Sequence, residues 1–387
     1  MSQFFKSWFR RERLISPKGE KMFLQLCLAS LFICAQFGCN LLSPSIDTIN
    51  PTETLAESQR ASPHSNSLGE QPETTGNLTP DQILTLSSLV KVDDYPLYTM
   101  HFQGQYFLQG NYSESAGGNI HTFLVPKNQD WACSLFAALG GEENYTFGRN
   151  FDWEKSPALL LFTSPPDRYA SVSMVDIAYL DFDSLDLGKL HEMELDQLSP
   201  LLDAPFWPFD GMNERGLAIG MAAVPAVQNE ADLQKPSIGS LEIMRMILDE
   251  AADINEALRI IESYNIDFRG GPDLHYLIAD KSGESILVEF LEGKMQVIPN
   301  QKAWHMATNF LVTTNDSPQG KCARYDRISS TLQDYGGVLV PELANELLST
   351  VSQNNTQWSV LYYLESGAIQ VTMGRKFDQT HNFQLEP

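Results

Sequence analysis

Cys133-Ser134-Leu135-Phe136-Ala137-Ala138 and Tyr145-Thr146-Phe147-Gly148-Arg149-Asn150-Phe151-Asp152-Trp153 are two apolar, aromatic-rich runs joined across Gly140-Gly141-Glu142-Glu143. Runs of this length, bounded by turn residues, read as β-strands, and the short glycine-led connection predicts a hairpin. That hairpin would set a thiol on one strand against an arginine and an aspartate, three residues apart, on the other. The placement suits an activated cysteine: a thiol is only a few per cent ionised at neutral pH, and a neighbouring guanidinium favours the thiolate. The same residues also fit a buried structural cysteine beside an ordinary ion pair. Separating the two readings takes more of the chain.

Downstream, strands are predicted at 159–163, at 170–180 and, after the turn Asn213-Glu214-Arg215-Gly216, at 217–224. Asn213 and Gly216 are expected to form that turn by supplying positive φ. The period then changes. Leu241, Ile243, Met244, Ile247 and Leu248, followed by Ile254, Ala257, Leu258 and Ile261, recur at helical spacing and predict two amphipathic helices. A second hairpin is expected at 274–279 and 285–290 around Asp280-Lys281-Ser282-Gly283, then helices at 324–333 and 341–351. A last strand pair fits 358–364 and 368–372 around Ser366-Gly367. Upstream, Thr79-Pro80-Asp81-Gln82 is a capping box that opens a short helix, and the aromatic–polar alternation of 95–125 suggests strands and turns. Strands, then helices, then strands again indicate an α+β protein with largely antiparallel sheets.

The first residues have a different character. Residues 22–39, MFLQLCLASLFICAQFGC, are uncharged and follow a run carrying six of the chain's 26 basic residues. That is the layout of an export signal. It ends in Gln36-Phe37-Gly38-Cys39, which resembles a bacterial lipoprotein signal, so lipid on Cys39 and an uncleaved membrane anchor are both open. Either puts the body outside the cytoplasm, membrane-tethered or secreted. Residues 43–80 are rich in Ser, Thr, Pro and Glu and hold no aromatic residue, so they read as a disordered tether. Of the net charge of −23, residues 1–21 contribute +4, which leaves a body at −27. A body so acidic repels nucleic acid. No CxxC pair, HExxH motif or complete phosphate loop occurs, so neither a metal nor a cofactor is expected.

With further stretches in view, the chain resembles a known family. Cys133 followed by Gly148-Arg149-Asn150-Phe151-Asp152 is similar to the choloylglycine hydrolase and linear-amide hydrolase group of the N-terminal-nucleophile superfamily, to which bile salt hydrolases and penicillin V acylases belong. Acid ceramidase and autoproteolytic acyltransferases are relatives. Asp210-Gly211-Met212-Asn213-Glu214-Arg215-Gly216-Leu217, Ala307-Thr308-Asn309-Phe310 and Cys322-Ala323-Arg324-Tyr325-Asp326-Arg327 match in order. The resemblance implies a four-layer αββα sandwich with two stacked antiparallel sheets. It divides the chain into an export signal or anchor (1–39), a tether (40–79), a pro-segment (80–132) and a catalytic domain (133–387).

It also implies roles. Cys133 would become the first residue of the mature chain, through an N-to-S acyl shift at Ala132 and hydrolysis of the thioester. Its α-amine would then be the general base. Arg149 would sit by the sulfur, Asp152 would hold the α-amine, Asn309 would donate to the oxyanion and Arg324 would organise the polar groups of the site. The substrate would be a small N-acyl amide, cleaved through a thioester acyl-enzyme. Acyl transfer to an amine and a non-catalytic surface-binding protein on the same fold are the alternatives. One position departs from the bile salt hydrolase pattern: Ala223 stands where those enzymes place a second oxyanion-hole asparagine, so a main-chain N–H would have to substitute. Among other readings, His305 could activate Cys133 in a papain-like arrangement, and Cys133 could pair with Cys322, which otherwise reads as a small buried hydrophobe. Asn309 could simply cap a loop, and Arg324 and Arg327 could lie on a solvated helix face.

Overall fold

Thr79 caps the first helix, α1 (Pro80–Ser87), as a capping box: its hydroxyl accepts from the Gln82 N–H while the Gln82 side chain accepts from the Thr79 N–H. This computed structural model describes residues 78–106, 132–141, 145–182, 187–225, 232–269, 271–315 and 317–386. All belong to one compact unit, 72–387. The expected signal (1–39), nearly all of the expected tether and residues 107–131 of the expected pro-segment lie outside them. Among the described residues, no helix is long and apolar enough to cross a membrane.

The strands that follow are β1 (Val90–Asp93), β2 (Leu97–Phe102), β3 (Ala132–Ala138), β4 (Thr146–Asp152), β5 (Ala158–Thr163), β6 (Ser171–Asp176), β7 (Asp210–Asn213), β8 (Leu217–Ala223) and β9 (Ser237–Gly239). Helices α2 (Glu242–Glu250) and α3 (Ile254–Glu262) come next, then β10 (Asn265–Asp267), β11 (Leu274–Asp280), β12 (Ser285–Leu291), β13 (Lys294–Pro299) and β14 (Trp304–Ala307). The chain closes with α4 (Ala323–Asp334), α5 (Pro341–Val351), β15 (Thr356–Tyr363), β16 (Ala368–Met373) and β17 (Thr380–Gln384).

Among the described residues the strands form a nine-stranded sheet, β1-β2-β5-β6-β7-β8-β11-β12-β13, and a six-stranded sheet, β14-β3-β4-β15-β16-β17. β9 and β10 make a small parallel pair. Helices α2 and α3 pack on the larger sheet, α4 and α5 pack on the smaller, and β3 lies against β8 between them. The layers are therefore helix, sheet, sheet, helix, the αββα order that the resemblance implied. Strands covered on both faces lose the polar alternation of a half-exposed strand. Accordingly β5 reads ALLLFT and β8 reads LAIGMAA, and β8 is buried throughout. Gly148 meets a packing demand: a Cβ there would come within 2.3 Å of the Phe136 ring.

Three details stand apart. First, within sheets that are largely antiparallel, as expected, β2 runs parallel to β5 over Leu97–Phe102. Gly216 does take positive φ, +75°, but Asn213 does not. Asn213 instead ends β7 and uses its side chain: Nδ2 donates to the carbonyls of Leu248 and Ala251 at the end of α2, and Oδ1 accepts from the N–H of Arg215 and Leu217. The hydrogen bonds of one amide fix the turn where backbone strain had been expected. Third, the strand expected over 170–180 stops at Asp176, whose side chain caps a 3₁₀ turn at Ile177–Tyr179.

Residues 80–106 are built into this body. Leu97, Tyr98 and Met100 of β2 are fully buried. Asp93 pairs with Lys376 and His381, and the Tyr106 hydroxyl donates to buried Asp249.

Candidate active site

β3 and β4 form the hairpin, with Ala132 opposite Asp152, Cys133 opposite Phe151 and Leu135 opposite Arg149. Side chains alternate along a strand, so the odd spacing between Arg149 and Asp152 sends them to opposite faces. Arg149 turns with Cys133 towards the larger sheet, and its Nη2 lies 3.8 Å from Sγ and 3.2 Å from the Met221 carbonyl. Asp152 turns the other way, where Thr356 Oγ1 donates at 2.5 Å and Gln353 Nε2 at 3.1 Å, with Arg324 Nη1 at 3.8 Å.

Asn309, just after β14, and Arg324, in the first turn of α4, close in on the Cys133 main chain. Asn309 Oδ1 accepts from the Cys133 N–H at 2.6 Å and from Arg324 Nη2 at 3.0 Å, and its Nδ2 donates to the Ala223 carbonyl at 2.8 Å. Arg324 Nη1 donates to the Cys133 carbonyl and to Ser134 Oγ. These partners fix which way the Asn309 amide points, since every Oδ1 neighbour is a donor and the Nδ2 neighbour is an acceptor. The other four residues singled out in the sequence therefore lie around Cys133. Asp152 does so through the β-ladder: its main-chain N–H donates towards the sulfur while its carboxylate bonds elsewhere.

The electrostatics differ from the sequence expectation. Cys133 is 2% exposed, and burial pushes its thiol above the ordinary value. Arg149, the Asp152 N–H and Arg324 pull it back down only in part, and the Asp152 carboxylate adds to the rise. Burial therefore favours the thiol over the thiolate, because desolvation of an anion outweighs one guanidinium already committed to a carboxylate. Burial likewise raises Asp152 above its usual range, against the hydrogen bonds from Thr356 and Gln353.

The carboxylate that holds Arg149 is Asp210 of β7, on the facing sheet. Both side chains are fully buried, and Asp210 also accepts from Tyr362 Oη at 2.6 Å and Trp358 Nε1 at 3.2 Å. The Arg149 guanidinium stands 4.9 Å from the Phe151 ring centre. Asp210 has no role assigned from sequence alone, although a carboxylate opening a run as apolar as Gly-Met signals that it is paired. Thr356 and Gln353 carried no such signal.

His305 lies on β14 opposite Ala137, four positions along β3 from Cys133. It is hydrogen-bonded to Ser285 Oγ, and burial lowers it to about 4, so it is no base for the thiol. Cys133 and Cys322 are both free thiols. Cys322 is half-buried at the start of α4. Burial would raise its thiol, but the Tyr325 N–H and Thr308 hold it below the usual value. At Ala223 the group facing Asn309 is the carbonyl, an acceptor. An open cavity of about 420 Å³ borders the site through Arg324 and Gln353.

The profile described as linear amide C-N hydrolases, choloylglycine hydrolase family, matches residues 133–311 and starts at Cys133 itself. Penicillin V acylase from Pectobacterium atrosepticum is 27% identical over 111 residues, covering 26% of this chain and 29% of the relative. The chain thus matches less than a third of the length of that curated relative. Among solved structures, a variant of conjugated bile acid hydrolase from Clostridium perfringens aligns with a TM-score of 0.48 at 17% identity, over 65% of this chain and 92% of that one. Penicillin V acylase from Agrobacterium tumefaciens aligns with a TM-score of 0.44 at 17% identity, over 62% and 83%.

Proposed function

We propose that the chain, whose residues 133–311 match the profile of the choloylglycine hydrolase family of linear amide C-N hydrolases, hydrolyses non-peptide amides of N-acyl compounds through Cys133, after cutting itself between Ala132 and Cys133. One observation carries this reading. The nitrogen that cleavage would turn into an α-amine is already held by Asn309 Oδ1, on the residue whose sulfur lies under a buried arginine.

In the self-cleavage step Sγ attacks the Ala132 carbonyl carbon. The thiol proton passes to the Cys133 nitrogen as the C–N bond breaks, and a thioester joins Ala132 to the sulfur. Water hydrolyses the thioester and leaves a carboxylate on Ala132, a thiol and a free amine. The amine has an unperturbed pKa of about 7.7–8.0, so it can accept the thiol proton near neutral pH. In turnover it delivers that proton to the leaving amine of the substrate. It then takes one from the water that releases the acyl group.

Asn309 Nδ2 carries two hydrogens, one on the Ala223 carbonyl and a second for the oxyanion. Asn309→Ala is therefore expected to lower kcat by roughly 10²–10³ in the processed enzyme, the range for losing one such donor. Steady-state kinetics on an N-acyl aminomethylcoumarin checks this, and an unchanged kcat would remove Asn309 from the reaction.

A second expected outcome concerns the piece that ends at Ala132. The three buried side chains of β2 contribute roughly 1.5–3 kcal/mol each, and the ladder to β5 adds directional hydrogen bonds. After cleavage the two pieces should separate on a denaturing gel and co-elute in native size exclusion. Loss of the smaller piece under native conditions would contradict its place in the sheet. The same proposal has the body exported and held by residues 22–39 or by lipid on Cys39; it is supported by the uncharged run behind the basic residues. The decisive experiment is N-terminal sequencing of the purified protein together with its turnover of the coumarin amide. A start at Cys133 with release of coumarin is expected, and turnover by a chain still joined at Ala132–Cys133 would overturn the mechanism.

A further inference from the structure

β12 reads Ser-Ile-Leu-Val-Glu-Phe-Leu, and its one charged residue, Glu289, is fully buried. A carboxylate in such a strand carries a desolvation penalty that an apolar residue of similar volume would avoid. Its bonds indicate what it does there. Oε1 accepts from the Val312 N–H at 2.7 Å and faces His275 Nδ1 at 3.2 Å. Oε2 accepts from the Thr313 N–H at 2.9 Å and from Thr313 Oγ1 at 2.6 Å. Because an ionised carboxylate only accepts, Nδ1 is the protonated nitrogen of His275. Against the rise that burial alone would cause, these bonds hold the Glu289 carboxyl below its ordinary value.

Three of the four donors belong to Val312 and Thr313, in the loop between β14 and α4, three and four residues after Asn309. Glu289 stands on the larger sheet, while the loop leaves an edge strand of the smaller one. Between Asn309 and the clamp, the Phe310 ring packs edge-on against Tyr325 at 5.1 Å and Leu311 is buried. The loop is thus tied to the opposite sheet one turn beyond the residue that holds the Cys133 nitrogen.

We propose that Glu289 is a positioning residue: by clamping Val312 and Thr313 it fixes Asn309 at the distance and orientation that the reaction at Cys133 requires. This rests on the reading of Asn309 as a working group of the site. Glutamine at this position would turn an NH₂ towards the main-chain N–H of either Val312 or Thr313 and break that contact, with no change in size.

The test is a double-variant cycle on the full chain, using the N-acyl aminomethylcoumarin probe, with kcat and KM measured for Glu289→Gln, Asn309→Ala and the pair. Glu289→Gln is expected to lower kcat about tenfold or more with KM within about threefold, and to cost at most about twofold further in the Asn309→Ala background, since residues acting through one group are non-additive. Losses that multiply in the pair, or an unchanged kcat in Glu289→Gln, would overturn the Glu289 assignment alone. An Asn309→Ala protein with full kcat would overturn the reading of Asn309 and this inference with it. Should Glu289→Gln fail to fold, Thr313→Val removes a single donor and runs the same cycle, with an expected loss of about threefold and the same non-additivity.

Discussion

Cys133→Ala should be recovered as one uncut chain with no measurable turnover. The sulfur has two tasks in the proposed sequence, attack on the Ala132 carbonyl and attack on the substrate, and alanine can perform neither. Removing a covalent nucleophile costs on the order of 10⁶ in kcat where it has been measured, so activity should fall to the assay floor. Intact mass reports the first task and release of coumarin the second, and the two should be lost together. Cys133→Ser separates them. Its hydroxyl is fully protonated in the same buried setting, where even the thiol is pushed up, so processing should be slowed or altered while the fold is kept. Full hydrolysis of the probe by Cys133→Ala would defeat the covalent mechanism. A wild-type chain that stays joined at Ala132–Cys133 and is inert towards N-acyl amides would favour a binding protein on this fold.

The second large effect lies beneath the sulfur. Asp210→Ala should destabilise the protein by about 3–5 kcal/mol, because it strands the Arg149 guanidinium between two sheets without a counter-charge. Arg149 has little else to turn to: its Nε has no hydrogen-bond partner, and its Nη2 reaches only a sulfur and one carbonyl. Against a total stability of about 5–15 kcal/mol, such a loss would bring the chain close to unfolding at physiological temperature. Tyr362→Phe removes one hydrogen bond to the same carboxylate and should cost about 1.5–3 kcal/mol, the range for bonds to a charged group. Urea denaturation of the three proteins measures both. An Asp210→Ala protein within about 1 kcal/mol of wild type would mean that the buried pair contributes little, as hydrophobic replacements of some buried pairs show.

Much of this architecture was legible locally. The hairpin at Cys133, both amphipathic helices, the α5 helix that begins at Pro341 and the capping box at Thr79 each carry their own signal of period, punctuation or capping, and each forms within a residue or two of its expected place. The strands that went unread are β1, β7, β13, β14 and β17 and the small pair β9 and β10. They are short, and β13, with Lys294-Met295-Gln296-Val297, is half-exposed over most of its length. What makes such segments strands is the row of N–H and C=O groups on a neighbour already in place. β14 matters most of these, since it delivers Asn309 to the site.

The residue types needed for the proposed chemistry, a cysteine and an arginine on adjoining strands with an asparagine and a second arginine downstream, stand in the chain before any folding is considered, as do the periods that select an α+β class. The sign of the Cys133 thiol shift, the identity of the Arg149 counter-ion and the tie between Glu289 and the Asn309 loop do not. Each depends on two sheets meeting face to face. Stacking withdraws water from charged groups and brings Asp210 to Arg149 across 61 intervening steps of chain, and no local pattern encodes either the loss of solvent or the partner that replaces it.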